Sequence, residues 1–345
     1  MTDQPAHLRT QVVIVGAGPV GLTLALDLGK RGVRCVLIDR GALAGRLPKM
    51  ERCNHRTMEI FRRLGVADAV RAAGLPGDVP MDVFLAKSMA HRAAVHLAYP
   101  SVNDAKAEIA ANNDGRPLEP YQLISQYTIE PLLREVVAGL PSVTVRFGYE
   151  FTGFTQDATG VDATIVGPRG TPETVRGEYI VGCDGGSSTV RKALGIALAG
   201  EGNIRKLRQA LFYCPELFSN IRMGPGRHYH LMQPLFPFVI IQDSTSHWTL
   251  HAQAKSDEEM LEIFKRAVGF DTPITMLSVN QWTQHLLCAD RYRDGRAFIA
   301  GDAAHLVIPT GGLGMNTGVG DAIDLGWKLA ATLQGIANDG ILDSY

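Results

Sequence analysis

The chain has 345 residues, and its 34 lysine and arginine residues nearly balance 35 aspartate and glutamate residues, for a formal net charge of −1. This balance gives no extended field of one sign, so nucleic acid and membrane surfaces are not expected partners. Hydrophobic residues make up 46% and charged residues 20%, as in globular enzymes, and the length predicts about two domains.

The cysteines are odd in number and widely scattered, and they form no C-x-x-C pair: Cys35, Cys53, Cys183, Cys214 and Cys288. This pattern argues against a disulfide framework and against a zinc site. We therefore expect reduced thiols, a cytoplasmic location and no bound metal. The apolar stretch at residues 12–28 is broken by glycines and is too short for a membrane span.

A βαβ unit is predicted near the N-terminus. Aliphatic runs at residues 12–15 and 35–38 predict buried parallel strands, and residues 22–29 repeat at helical spacing between them. The turn between the first strand and the helix reads G-x-G-x-x-G and contains Gly16, Gly18, Pro19 and Gly21. Such a turn brings backbone amides and a helix N-terminus to a pyrophosphate.

Asp39 ends the second strand about 20 residues after this turn, where an acidic side chain accepts hydrogen bonds from an adenosine ribose. We assign Asp39 and the adjacent Arg40 to the same dinucleotide site. The alternative is a glycine-rich turn followed by a surface aspartate. The motif alone does not separate FAD from NAD.

Further elements follow in chain order. Asn54 is a predicted N-cap for a helix that ends at Gly65, and another helix opens near Thr128. A glycine-rich loop near residue 311 precedes a helix with residues 322–333 on an apolar face. Strands are predicted at residues 143–147, 161–166, 174–181, 227–232, 238–242, 248–252 and 297–300.

Two more glycine-acid motifs each follow an aliphatic strand. The stretch 182–191 reads G-C-D-G-G-S-S-T-V-R and contains Asp184 and Gly185, and the stretch 301–305 reads G-D-A-A-H and contains Gly301 and Asp302. In this order the three motifs resemble the para-hydroxybenzoate hydroxylase-like family of FAD-dependent aromatic monooxygenases. The resemblance spans nearly the whole chain.

The resemblance implies an α/β fold with two domains. A Rossmann-like FAD-binding domain of the GR2 type is expected over residues 1–78, 120–199 and 285–345. An α+β substrate-binding domain, built on a mostly antiparallel sheet, is expected over residues 79–119 and 200–284. Residues 341–345 are predicted to lack a helix, and the abrupt end raises the expectation of a missing C-terminal extension.

The resemblance also implies cofactor contacts. Asp302 would bind ribityl or diphosphate groups, Asp184 and Gly185 would support FAD and a passing nicotinamide, and Gln126 would contact the flavin. Where the family often has a phosphate-binding arginine this chain has Lys49, with Arg46 and Arg52 as nearby substitutes.

The late loop reads P-T-G-G-L-G-M-N over residues 309–316. Its glycines would let backbone amides lie against the flavin ring, and the following helix N-terminus would stabilise negative charge there. An ordinary helix-capping loop is the alternative. The predicted contacts are Gly312, Gly314, Met315 and Asn316, with Pro309 shaping the reactive side of the flavin.

The histidines leave several interpretations open. His228 and His230 share one face of a predicted strand, as a metal pair, a substrate wall or a polar surface would. Tyr229 and Gln233 would lie on the opposite face, and either face could line a substrate cavity. The tentative pocket residues are therefore Tyr229, His230 and Gln233. His305 is expected to hydrogen-bond locally.

The activity implied by the resemblance is hydroxylation of a phenolic or other electron-rich aromatic substrate. NADPH or NADH would reduce FAD, and O2 would form a flavin C4a-hydroperoxide that transfers oxygen to a small substrate bound between the flavin loop and the middle sheet. The alternatives are an FAD-dependent dehydrogenase or reductase and a non-catalytic flavin- or ligand-binding fragment. Monomer and homodimer both stay open.

Overall fold

The computed structural model describes residues 8–45, 48–49, 51–112, 115–234, 236–309 and 311–345. Arg46 and Thr310, which the sequence placed near the cofactor, lie outside these residues. The chain folds into two compact units, a first unit of residues 1–45, 129–202 and 285–345, and a second unit of residues 46–128 and 203–284.

The helices and strands are as follows. Strands are β1 (Leu8–Arg9), β2 (Val12–Val15), β3 (Cys35–Asp39), β4 (Arg52–Cys53), β5 (Val83–Ala86), β6 (Val95–Leu97), β7 (Gln122–Leu123), β8 (Val143–Phe147), β9 (Glu150–Asp157), β10 (Gly160–Val166), β11 (Pro172–Gly177), β12 (Tyr179–Gly182), β13 (Leu198–Tyr213), β14 (His228–Leu231), β15 (Phe238–Ile241), β16 (His247–Ala252), β17 (Thr275–Ala289), β18 (Arg293–Asp294), β19 (Ala297–Ile299) and β20 (His305–Leu306). Helices are α1 (Pro19–Lys30), α2 (His55–Arg63), α3 (Ala67–Ala73), α4 (Val102–Asn112), α5 (Gln126–Ala138), α6 (Thr189–Ala193), α7 (Leu217–Asn220), α8 (Asp257–Val268) and α9 (Leu313–Leu333), with 3₁₀-helices at Gly301–Ala303 and Asp339–Ser344.

The first unit is built on a sheet in the order β18-β19-β12-β2-β3-β8. Strands β2, β3, β12 and β19 pair in parallel, and the residues of β2 and β19 are completely buried. Continuous aliphatic runs such as V-V-I-V suit a parallel sheet covered on both faces. The predicted βαβ unit is confirmed, with α1 joining β2 to β3.

A second sheet in the first unit has the order β1-β11-β10-β9. The sequence predicted one strand over residues 174–181, and this is wrong. The chain leaves the second sheet at Gly177 and joins the first at Tyr179. The chain passes close to β2 between the two sheets. A Cβ at Gly177 would lie 2.9 Å from Cγ2 of Val13, and the Glu178 amide donates to the carbonyl of Gln11.

In the second unit the strands follow the order β17-β13-β16-β15-β14-β5-β6. Most neighbouring strands among the described residues pair antiparallel, while β14 and β5 are parallel. One sheet face packs against α8, where the rings of Phe212 and Phe264 stack with centroids 3.9 Å apart. The sequence did not predict α8, although Ser256 caps it by accepting from the Glu259 amide and left-handed Gly269 ends it.

The unit boundaries differ from the predicted domain boundaries at residues 46–78 and 120–128, which cluster with the second unit, and at residues 200–202, which cluster with the first. Leu75 and Leu123 explain the first of these differences, because both are fully buried in the second unit's core. Strands β4 and β7, which lie within segments 46–78 and 120–128, also pair with each other.

The end of the chain corrects another expectation, because residues 339–344 form a 3₁₀-helix. The Asn338 side chain accepts from the Gly340 amide at its start, and the Tyr345 hydroxyl donates to the carbonyl of Ile299 at 2.9 Å. No helix within the described ranges is long and apolar enough to cross a bilayer.

Candidate functional site

The glycine-rich turn after β2 is shaped by close packing at two of its glycines. Gly16 has φ +104°, and a Cβ there would lie 2.3 Å from the carbonyl oxygen of Cys183. A Cβ at Gly21 would lie 1.9 Å from the carbonyl oxygen of Gly16. Side chains at either position would force the β2–α1 turn to move, so these two glycines have a structural role of their own.

Gly18 is different, because its surroundings are open. It has φ −75°, which any residue adopts, and the nearest atom to an added Cβ is Oε1 of Glu130 at 4.0 Å. Gly18 is the N-cap of α1 and Pro19 is the first helical residue, where proline is favoured. Glycine is therefore not required here by the protein's own packing.

The N-terminus of α1 has the properties of an anion site. Its first-turn amides lack intrahelical acceptors, and the helix dipole adds partial positive charge. Among the described residues no side chain caps this helix, and its first turn contains no acidic residue. Together with the open space at Gly18, this arrangement fits the pyrophosphate of a dinucleotide.

Asp39 closes the same turn from the end of β3. Its Oδ2 accepts from the Ala17 amide at 2.6 Å, and its Oδ1 accepts from the Gly41 amide at 2.7 Å, with Nη2 of Arg134 at 3.4 Å. The side chain is 20% exposed, and a carboxylate has about four acceptor positions. Asp39 thus keeps capacity for a ribose hydroxyl, and Arg40 beside it is exposed.

The Asp184 carboxylate of the second motif accepts hydrogen bonds from its own loop. It accepts from the Ser188 hydroxyl and from the amides of Thr189 and Val190 at 2.7 and 3.2 Å. These bonds fix the start of α6, whereas Gly185 has φ +81° and open space around it. The geometry therefore gives Asp184 a loop-ordering role and leaves Gly185 as the accessible position.

Arg191, which the sequence interpretation did not single out, links the second motif to the third. Its buried guanidinium donates from Nη2 to the carbonyl of Gly186 and from Nη1 to the carbonyl of Ala303, both at 3.0 Å. The signal was present in the sequence as an arginine within a short helix after the D-G pair.

The third motif packs on α1. Gly301 has φ +60°, and a Cβ there would lie 2.8 Å from Cγ2 of Val20, while a Cβ at Gly318 of α9 would lie 2.5 Å from the same atom. The Gly301 amide donates to Oδ2 of Asp321 at 2.8 Å, and Asp302 is exposed. Asp321 was not predicted either, although it is an acidic residue among small and apolar residues of α9.

His305 forms the expected local hydrogen bond, with Nε2 lying 2.7 Å from Oδ2 of Asp321. Burial lowers the pKa of His305, but the hydrogen bond and charge of Asp321 and the charge of Asp302 outweigh burial and raise this pKa above its ordinary value. The Asp321 carboxylate thus joins a backbone amide of the third motif to a histidine that favours its charged form.

The late loop brings two left-handed glycines to the start of α9. Gly311 has φ +95°, and Gly312 has φ +64° and serves as the N-cap, with its amide donating to the carbonyl of Pro309 at 2.8 Å. Nδ2 of Asn316 donates to the carbonyl of Gly312 at 2.6 Å. Gly314 and Met315 are half-buried in the first turn, and Pro309 is exposed.

Gln126 is the first residue of α5 and belongs to the second unit. The two residues after it are anchored, because the hydroxyl groups of Tyr127 and Thr128 both donate to the carboxylate of Asp243, the former at 3.0 Å. This clamp fixes the start of α5. Lys49, at the family's arginine position, is exposed.

His228 is paired with the carboxylate of Glu51, which bears on whether His228 and His230 form a metal pair, a substrate wall or a polar surface. Its Nε2 lies 3.0 and 3.1 Å from the two carboxylate oxygens of Glu51. Burial raises the pKa of Glu51, but the charge and hydrogen bond of His228 and the charges of Arg52 and Arg227 hold this pKa at about 2. Within the described part of the chain, no group of three or more His, Cys, Asp or Glu side chains could hold a metal.

The three tentative pocket residues do not share a surface. Tyr229 is 1% exposed in the core of the second unit, and its hydroxyl donates to the carbonyl of Gly224 at 3.2 Å. His230 lies on the opposite face of β14, because side chains alternate along a strand. Gln233 lies beyond β14 and donates to the carbonyl of Lys87 at 3.3 Å.

His251 should make the free energy of unfolding decrease at acidic pH. Burial and the charge of His228 outweigh the charge of Glu51 and lower the pKa of His251 to about 4. Because the folded pKa lies below the unfolded value of about 6.5, the neutral ring contributes stability above that pH, and this stability is lost as the pH falls toward 4. Between pH 7.5 and 5 the loss should be at most about 2 kcal/mol.

Urea unfolding at these two pH values, for the natural chain and for His251→Gln, checks this expectation. The variant, which cannot charge, should lose less stability on acidification. Replacing the exposed His91 with glutamine should leave the pH dependence of the unfolding free energy unchanged. Equal pH dependence in all three proteins would show that His251 does not titrate as proposed.

The first unit has the features of a dinucleotide-binding unit: a βαβ fold, an uncapped helix N-terminus at Gly18 and an acidic residue at the end of the second strand. A family model described as an FAD binding domain matches residues 9–345. The chain belongs to this family, which contains FAD-dependent aromatic hydroxylases, and the resemblance predicted from its three motifs is confirmed.

Curated relatives include the FAD-dependent monooxygenase apdD of Emericella nidulans, 34% identical over 97% of this chain and 57% of the relative. Aklavinone 12-hydroxylase DnrF of Streptomyces peucetius is 32% identical over 97% of this chain and 70% of the relative. The chain spans less than two thirds of the first relatives' length, at 57% and 60%.

Solved structures include the substrate-free rebeccamycin biosynthetic enzyme RebC, with a TM-score of 0.89, 36% identity and coverage of 99% of this chain and 66% of that one. The flavin-dependent monooxygenase PieE, in complex with FAD and substrate, has a TM-score of 0.89 and 32% identity, with coverage of 99% and 61%. These likenesses agree with the predicted α/β fold.

Proposed function

We propose that this chain is the FAD-binding and substrate-binding part of a monooxygenase that uses NAD(P)H and O2 to hydroxylate an electron-rich aromatic compound. The observation that carries the proposal is the family match over residues 9–345, which includes all three glycine-acid motifs. Relatives named as monooxygenases and hydroxylases support it further.

The first unit would bind FAD, and the second would bind the aromatic substrate. The amides at the start of α1 would hold the pyrophosphate beside Gly18, and Asp39 would accept a ribose hydroxyl. Asp302 would meet the ribityl or diphosphate groups, because it is exposed within the 3₁₀ turn Gly301–Ala303, which Asp321 and Val20 hold in place. Bound FAD would supply hydride acceptance from NAD(P)H and activation of dioxygen.

The late loop would contact the flavin ring. Residues 311 and 312 turn the backbone so that the N-terminus of α9 follows directly, and helix N-termini stabilise negative charge. Amides of the first turn of α9, after Gly312, would therefore favour a reduced, anionic ring. Pro309, exposed before these glycines, would shape one side of it.

Turnover by the purified full chain loaded with FAD tests the proposal. A panel of phenols and larger hydroxylated aromatics is scored for substrate-stimulated oxidation of NADPH and NADH, and products are weighed by mass spectrometry. We expect at least one compound to stimulate oxidation and to gain one oxygen atom. Product that is oxidised or saturated without added oxygen would indicate a dehydrogenase or reductase, and FAD binding without any turnover would indicate a binding fragment.

A further inference from the structure

The second unit contains an arginine, Arg227, with two buried nitrogen atoms whose N–H groups the protein does not use. Nε and Nη1 of Arg227 are buried, and neither has a hydrogen-bond partner among the described residues. A buried donor without an acceptor costs about 1–3 kcal/mol, and more when it is charged. Unpartnered buried donors are rare in folded proteins, and a bound water, an ion or a ligand oxygen can satisfy them.

Two tyrosine rings hold this guanidinium in place. Its Cζ lies 5.5 Å from the ring centroid of Tyr99 and 5.8 Å from that of Tyr121. Cation–π contacts of this kind position a guanidinium without using its N–H groups. Arg227 is therefore oriented, yet its donors stay available.

The carboxylates of this region are committed to other groups. Glu51 binds Nε2 of His228 with both oxygens, and Asp82 binds Nε2 of His96 and the Tyr99 amide. The charge of Arg227 also helps to lower the pKa of Arg52, after burial, which indicates two cations close together. An additional anion would relieve their repulsion and accept from Arg227.

A row of aromatic side chains runs across one sheet face beside this region, because the ring centroids of His228 and His230 lie 5.9 Å apart. The aromatic row consists of His230, Phe238, His251 and Trp282, with successive ring centroids 5.5, 4.8 and 6.4 Å apart. His230 pairs with Phe238, and Phe238 with His251, so these three side chains share the face opposite the α8 core. All four are half-buried.

The row suits a flat, electron-rich ligand. Phe238 and His251 stack within 3° of parallel, so their ring edges lie side by side. Ring edges carry partial positive charge and favour the face of an electron-rich ring. Burial, together with the charges of His228 and Arg227, lowers the pKa of His230, so its ring adds no cation at neutral pH.

We propose that Arg227 binds an anionic oxygen of the aromatic substrate while the aromatic row contacts its rings, so that the preferred substrates are flat, multi-ring aromatics that carry a carboxylate or an ionised hydroxyl. This inference rests on the proposed function in taking the bound ligand to be the substrate, but its binding chemistry is tested separately.

Calorimetric titration of the FAD-loaded full chain, without NAD(P)H, tests the inference. The probes are an anthraquinone carboxylate, the corresponding neutral carboxamide, and a hydroxyanthraquinone measured below and above the pKa of its hydroxyl. We expect the carboxylate to bind at least tenfold more tightly than the carboxamide, and the hydroxyanthraquinone to bind more tightly once ionised. Whichever anion shows the larger gain identifies the type of oxygen that is recognised.

Variants separate Arg227 from general charge effects. Arg227→Gln should reduce carboxylate affinity at least tenfold and carboxamide affinity less than threefold, with Arg227→Lys intermediate because lysine keeps the charge but loses the planar fork. Arg222→Gln, which removes an exposed arginine of the same unit, should change neither.

Equal binding of charged and neutral probes by the natural chain would overturn the inference, and this result needs no variant to fold. So would an unchanged carboxylate preference in folded Arg227→Gln. Tighter binding of the anionic probes without any turnover would contradict only the proposed function. Hydroxylation of neutral aromatics without tighter binding of anions would contradict only this inference.

Discussion

Replacing Gly18 with alanine should weaken FAD binding about a hundredfold, or about 2.7 kcal/mol, while the free energy of unfolding of the cofactor-free chain stays within about 0.5 kcal/mol of its original value. The backbone at Gly18 has ordinary dihedral angles, and an added Cβ meets no atom closer than 4.0 Å. The methyl group would instead occupy the space where a pyrophosphate approaches the first amides of α1.

Fluorescence titration of cofactor-free protein with FAD measures the affinity, and urea unfolding measures the fold. Gly320→Ala, in α9 where an added Cβ has nothing within 4 Å, is the matched control and should leave FAD affinity unchanged. Undiminished FAD affinity in Gly18→Ala would mean that the pyrophosphate does not bind at this turn.

Replacing Asp321 with alanine should lower the free energy of unfolding by about 3 kcal/mol and weaken FAD binding as well. Its Oδ2 accepts from the Gly301 amide and bonds to His305, and the side chains of Asp321 and His305 are only 14% and 8% exposed. Removal leaves the buried Gly301 amide and the buried His305 ring without their shared acceptor. The turn that carries Asp302 would loosen.

Asp290→Ala provides the comparison, because it breaks an ion pair with Arg291 at a half-exposed position of the same unit and should change stability by less than about 1 kcal/mol. Asp321→Asn, which keeps one acceptor oxygen, should fall between the two. Equal stability of Asp321→Ala and Asp290→Ala would exclude the buried link between the third motif and α9.

Local sequence signals predicted the parts of the fold that local chemistry determines. The aliphatic run of β2, the turn at Gly16 and the helix α1 are adjacent in the chain, so one stretch of sequence contains the whole unit. The Asn54 cap was predicted for the same reason, and its side chain accepts from the Thr57 amide at 2.9 Å. The spacing of residues along the chain was therefore enough to predict these elements.

Features that depend on distant pairing were not predictable in this way. Strands β13 and β17 are long, and much of β13 is exposed, so no clear alternation marks them in the sequence. Arg191 and Asp321 take their roles from groups 112 and 20 residues away. Neither role leaves a pattern in neighbouring residues.

Which face of β14 packs inward could not be predicted from the sequence either. Alternation predicted that Tyr229 and His230 point to opposite sides, but only the burial of Tyr229 against the α8 core shows which side packs inward. Likewise, the pairing of His228 with Glu51 joins residues 177 positions apart. The sequence left three interpretations open there because the partner is distant.

The central claim, oxygen transfer by an FAD-loaded chain, is tested most directly by isotope labelling of the hydroxylated product. The reaction is run with NAD(P)H under labelled dioxygen in ordinary water, and again under ordinary dioxygen in labelled water. We expect one labelled oxygen atom in the product from the first reaction and none from the second. Product oxygen that comes from water, or product formed equally well without dioxygen, would contradict the claim.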